Sequence, residues 1–115
     1  MINRDSDSFL DHFRKIYSLA VNLSDEGIAV YEHSYNMPAF GSWVLILGKR
    51  KSRFRFTWDG KDGVLKTEKA FIPDSRSIIK WENISLEFDT KSESENIFRS
   101  IEDFTRKKFE AQQIN

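Results

Sequence analysis

Cysteine is missing from all 115 residues, which removes disulfides, zinc–thiolate sites, redox pairs and a thiol nucleophile together and fits a reducing compartment. Long apolar runs are missing too. No window approaches the roughly 18 consecutive apolar residues of a membrane span, and the opening "MINRDSDSFLDHF" is polar and acidic where a secretory signal is basic and then apolar. The expected location is therefore cytoplasmic, where the Asn-x-Ser sequons at Asn22 and Asn83 carry no glycan.

Phosphate and acyl-transfer machinery is equally scarce. "LGKRKS" lacks the earlier glycine of a nucleotide-binding P-loop, and "FGSWV" lacks the second glycine of a nucleophile elbow. Counted as a calcium loop, "DGKDG" from Asp59 puts Lys61 at the third position and Gly63 at the fifth, where oxygen ligands are required. There are two histidines, His12 and His33, on different elements and without metal-pair spacing. In a strand, His33 also points away from its neighbours Glu32 and Ser34, so no local relay forms. The acidic residues Glu93, Glu95, Glu102 and Asp103 fall at the start and on the polar face of a helix, where the dipole and solvent account for them. No catalytic residue, metal or cofactor is assigned.

What is present is a core. The hydrophobic share is 39% and the aromatic share 14%, with ten phenylalanines, enough for one domain over residues 1–115 without disulfide or metal support. Net charge is zero but segregated: residues 1–32 carry −3, residues 49–69 carry +5 and residues 82–103 carry −5.

Apolar residues at Phe9, Leu10, Phe13, Ile16, Tyr17, Ala20 and Leu23 follow helical spacing, with a capping-box pair at Ser8 and Asp11 and a closing Gly27. The period then becomes two. Ile28 and Val30 point one way, Tyr31, His33 and Tyr35 the other, and the strand ends near Asn36-Met37-Pro38. "WVLIL" (43–47) is apolar on both faces, "RFRFTW" (53–58) alternates strictly, residues 64–71 alternate more weakly, and Ile84, Leu86 and Phe88 mark a last strand after an irregular "IPDSRSIIKW". Ser92 and Glu95 open a final helix carrying Ile97, Phe98, Ile101, Phe104 and Thr105. The expected fold is α+β: an antiparallel meander of about five strands with the N- and C-terminal helices on one face, in two layers.

"DGKDG" then reads as a hairpin turn, its glycines supplying positive φ. Strict alternation places Phe54, Phe56 and Trp58 under the helices and Arg53 and Arg55 on the opposite face, which separates the aromatics from the cations that a single-strand nucleic-acid platform would combine. The pattern also lacks the glycine of the RNA-recognition signature. The remaining candidates for partner contact are Tyr31, His33 and Tyr35 on an open sheet face, with Lys49, Arg50, Lys51, Arg53 and Arg55 facing an acidic protein surface. A non-catalytic protein-binding module is the expectation. Single-stranded nucleic acid on the basic hairpin, a small-molecule or enzymatic pocket between sheet and helices, and a homodimer through the sheet are the alternatives. The small, charge-segregated, Cys-free profile is similar in kind to bacterial inhibitor or immunity proteins, a likeness of class and not of motif.

Overall fold

The computed structural model describes residues 4–76, 78–85 and 97–113. Helix α1 (Arg4–Ser24) leads into strands β1 (Ala29–Asn36), β2 (Ser42–Lys49), β3 (Ser52–Asp59), β4 (Val64–Phe71) and the short β5 (Glu82–Asn83), and helix α2 (Ile97–Gln113) follows. The strands form one antiparallel sheet in the order β1-β2-β3-β4-β5. This is the expected two-layer α+β arrangement, with both helices against the same sheet face.

The helical spacing in residues 9–23 buries Ile16, Leu19 and Leu23, and Ile97, Ile101 and Phe109 do the same for α2. Opposite them the sheet contributes Leu45, Leu47, Phe54, Phe56 and Leu65. Phe54 meets Phe104 and Phe109 edge-on at 5.8 and 5.2 Å, and Phe56 meets Phe104 at 6.2 Å. Each fully buried side chain of this size contributes about 1.5–3 kcal/mol, so this layer is the main stabilising term. Arg106 ties α2 to the end of α1 through Glu26 and also pairs with Glu102 on its own helix.

Three local expectations are corrected. Helix α1 begins at Arg4, one turn before Ser8, so Ser8 lies inside the helix and not at its N-cap position. "WVLIL" is covered on one face only: Trp43, Leu45 and Leu47 are buried, while Val44 and Ile46 remain half-buried on the helix-free face. The last strand is shorter and earlier than expected, two residues ending before a buried Ile84; Leu86, Phe88 and the expected Ser92–Glu95 cap lie outside the described residues. Among the described residues no helix is long and apolar enough to cross a membrane.

The correction that most affects function is in β1. Val30 pairs with Leu47 but Glu32 pairs with Ile46, so Tyr31 is an extra, unpaired residue in a bulge. One inserted residue reverses every later side chain. Tyr31 stays on the open face, whereas His33, opposite Leu45, and Tyr35, opposite Trp43, turn toward α1. The expected outward row of Tyr31, His33 and Tyr35 is therefore divided between the two faces.

Candidate functional site

The helix-free face is built from cross-strand rows. Glu32, Ile46, Arg55 and Glu68 form one row, and Ser34, Val44, Thr57 and Lys66 form the next. Ala29, Gly48, Arg53 and Ala70 form a third, toward the basic turn.

Gly48 makes that third row unusual. It sits in the middle strand between Ala29 and Arg53, and a Cβ there would stand 2.5 Å from Arg53 Cδ and 2.8 Å from its NH1. The missing side chain lets Arg53 lie flat across β2, so that its guanidinium reaches β1 and stacks 3.7 Å above the Tyr31 ring. Arg53 NH1 also donates to the carbonyls of Arg50 and Ser52, at 2.7 and 2.9 Å. Tyr31 is 53% exposed, so the stack forms an open, amphipathic step on the sheet.

Two residues away the same face carries a closed arrangement. Arg55 donates through Nε and NH2 to both oxygens of Glu68, at 2.8 and 2.9 Å, and Lys66 Nζ lies 3.6 Å from the same carboxylate. The hydrogen-bonded Arg55 guanidinium holds the Glu68 carboxyl below its usual value, outweighing the opposing effect of burial. Trp81, delivered by the irregular stretch before β5, covers the guanidinium at 4.2 Å. Arg55 is thus committed to Glu68 and Trp81, while Arg53 has no carboxylate partner among the described residues.

Next to Arg53 the β2–β3 connection is the two-residue turn Arg50-Lys51 between the paired Lys49 and Ser52. Arg50 has φ 56°, a left-handed conformation that glycine or asparagine adopts more cheaply. Lys49, Arg50 and Lys51 likewise have no carboxylate partner among the described residues. Arg50 and Lys51 extend the Arg53 step at the turn, whereas Lys49 follows Trp43, Leu45 and Leu47 onto the helix side, where it lines a cavity with Glu26, Phe109 and Glu110 and its Cε stands 3.6 Å from where a Cβ at Gly27 would be.

No family model, curated protein or solved structure matches this chain. Its function therefore has to be argued from its own geometry. The space between sheet and helices, where a substrate pocket was an alternative, is filled by Phe54, Phe56, Phe109, Ile101, Leu45 and Leu47. Phe54 and Phe56 are buried and Trp58 packs against the same core, so none of the three is a stacking platform beside the arginines. Among the described residues no group of three or more His, Cys, Asp or Glu could hold a metal ion.

His33 and Tyr35, placed by the bulge under α1, belong to a second cluster. His12 is buried at 7% exposure, and its Nε2 lies 2.7 Å from Nε2 of His33. Tyr35 stacks on His12 at 4.4 Å, and Trp43 and Phe98 close the cluster at 5.8 and 5.5 Å. Burial, the His33 ring and Lys15 lower His12 to about 4, and burial lowers His33 as well. This tertiary pairing leaves no trace in sequence spacing. Gly48 does leave one, since an isolated glycine inside an apolar strand marks a close approach.

Proposed function

We propose that this chain is a non-catalytic protein-binding module, and that its contact surface is the helix-free sheet face around Tyr31, Arg53 and Trp81, continued by Arg50 and Lys51. The observation that carries the reading is the Arg53–Tyr31 stack, held by Gly48 and lacking a carboxylate partner among the described residues. Tyrosine, tryptophan and arginine dominate binding energy at protein interfaces, and a stacked guanidinium with open donors is prepared for an acidic group on a partner. Arg50 supports the same reading. A long cation is kept at a backbone conformation where glycine would be less strained, which favours a role for that cation at the turn. His33 and Tyr35 leave the proposed surface because they face α1, Lys49 leaves it because it lies on the helix side beside Glu26 and Phe109, and Arg55 serves it by holding Glu68 and Trp81 in place. Stoichiometric neutralisation of an acidic target, in the manner of bacterial immunity proteins, is the form of binding we propose.

The test begins with capture of partners by the tagged chain from its native cytoplasm, with and without nuclease. A single protein retained at fixed stoichiometry after nuclease is the expected result. In titrations with that partner, Tyr31→Ala and Arg53→Ala should each weaken binding about 10- to 100-fold, as interface anchors do. Gly48→Ala should act in the same direction by displacing Arg53, with a stability cost of its own because the new Cβ also stands 2.9 Å from the Ser52 carbonyl oxygen. Neutralising Arg50 and Lys51 should chiefly slow association and flatten its salt dependence. Undiminished affinity in Tyr31→Ala and Arg53→Ala would remove this surface. Retention of nuclease-sensitive material alone would transfer the basic turn to nucleic acid.

A further inference from the structure

The bulge at Tyr31 brings His33 to His12, and the geometry of the meeting is specific. The two Nε2 atoms are 2.7 Å apart, the ring planes differ by 21°, and the centroids are 4.9 Å apart. That separation is close to the hydrogen-bond length plus the two ring radii, so the nitrogens point at each other head to head. A metal ion cannot sit between nitrogens so close and so directed, whereas an N–H···N hydrogen bond requires this arrangement.

We infer that His12 and His33 form a proton-operated latch that holds the N-terminal half of α1 on the sheet at neutral pH and releases it when both rings are charged. At neutral pH one ring donates from Nε2 and the other accepts there, its own hydrogen being on Nδ1. A first added proton goes to the free Nδ1 of the donor ring and leaves the bond intact. A second must occupy the accepting Nε2, which puts two N–H groups and two positive charges head to head. The bond then converts from attraction to repulsion.

Among the described residues the surroundings leave the second charge uncompensated. On α1 the nearby charged groups are Asp11 and Lys15, paired with each other at 3.1 Å. Asp11 favours a charged His12 and Lys15 opposes it. β1 supplies Tyr35, while Glu32 lies on the other sheet face. β2 presents Trp43 and α2 presents Phe98, neither ionisable, and Arg99, Glu102 and Asp103 of α2 line the groove beside Lys15 instead. Released, this part of α1 would uncover Phe9, Phe13, Tyr35 and Trp43, an aromatic surface separate from the proposed binding face.

The sign follows from linkage. A histidine whose folded value lies below the unfolded 6.5 contributes stability that is complete above that pH and is lost as pH falls toward the folded value, about 4 for His12. The experiment is a pH series from 7 to 4 with amide protection factors resolved along the chain. Residues 9–16 should lose at least about tenfold protection, with a pH slope exceeding one proton, while β2 and β3 keep theirs. His12→Phe fills the same aromatic cluster without a proton site and should remove the head-to-head repulsion, leaving at most the one-proton contribution of the buried His33. His33→Gln retains a donor toward His12 and should reduce the slope to one proton or less. Equal loss in α1 and in the sheet of the native chain, or an unchanged loss in His12→Phe, would overturn the latch. Should His12→Phe fail to fold, an undiminished slope in His33→Gln would overturn it equally.

Discussion

Arg55→Ala is expected to lower stability by about 3 kcal/mol, the range for removing one partner of a buried ion pair, and to do so without any partner protein present. The reason is the carboxylate left behind. The Glu68 side chain is 7% exposed and receives both guanidinium hydrogen bonds, and only Lys66, itself 53% exposed, would remain beside it. Loss of Trp81 stacking adds to the same side. Glu68→Gln should cost less, because Arg55 is 29% exposed and water can solvate what the carboxylate releases. Urea unfolding at pH 7 measures both; an Arg55→Ala cost no larger than that of Glu68→Gln would show that the carboxylate is not held by this pair.

The pH dependence of that cost has a definite sign. Glu68 is held below its unfolded value of 4.5, so its pair contributes fully above that pH and fades as pH falls through the lower folded value. The deficit of Arg55→Ala should therefore shrink in acid, where Glu68 is protonated in both proteins. For function the consequence is direct. Weaker binding by an Arg55→Ala chain would combine lower stability with the release of Trp81, and Tyr31→Ala and Arg53→Ala are the variants that test the surface itself.

Strand β3 and strand β1 show why one part of the site was legible and another was not. In "RFRFTW" every residue pairs in register, so period two correctly sent Phe54, Phe56 and Trp58 to the core side and Arg53 and Arg55 to the other. In β1 the same rule fails after Tyr31, because a bulge is a property of pairing between strands. The sequence held one indirect sign: unbroken alternation from Ile28 and Val30 would place Glu32 and Ser34 beneath the apolar face of α1. That conflict between local period and burial is what the bulge relieves. Trp81 was beyond reach for another reason, since an irregular segment fixes no side-chain direction and the contact with Arg55 is set by where β5 returns. The His12–His33 bond depends on both the bulge and the helix rotation, two tertiary facts that no spacing encodes.

Glycines distinguish turn chemistry from close approach, and the two in "DGKDG" behave differently. Gly60→Ala is expected to cost about 3 kcal/mol, the upper range for forcing atoms into filled space, whereas Gly63→Ala should cost about 1. Gly63 has φ 66° and nothing within 4 Å of the added methyl, so its substitution is a matter of backbone strain alone. Gly60 has no positive φ, contrary to the hairpin expectation; a Cβ there would stand 2.0 Å from the carbonyl oxygen of Phe40. That oxygen cannot step aside cheaply. Phe40 and Gly41 are both left-handed, at φ 60° and 72°, and the loop is clamped where Ser42 Oγ donates to Ala39 O at 2.7 Å and accepts from Gly60 N at 2.9 Å. An alanine would have to break the clamp that joins the β1–β2 loop to the β3–β4 turn. Thermal unfolding of the two variants decides the matter: equal small losses would mean that the second loop yields to the added methyl group, and a several-fold larger loss at Gly60 would mean that this loop, packed against the turn, is what requires glycine there.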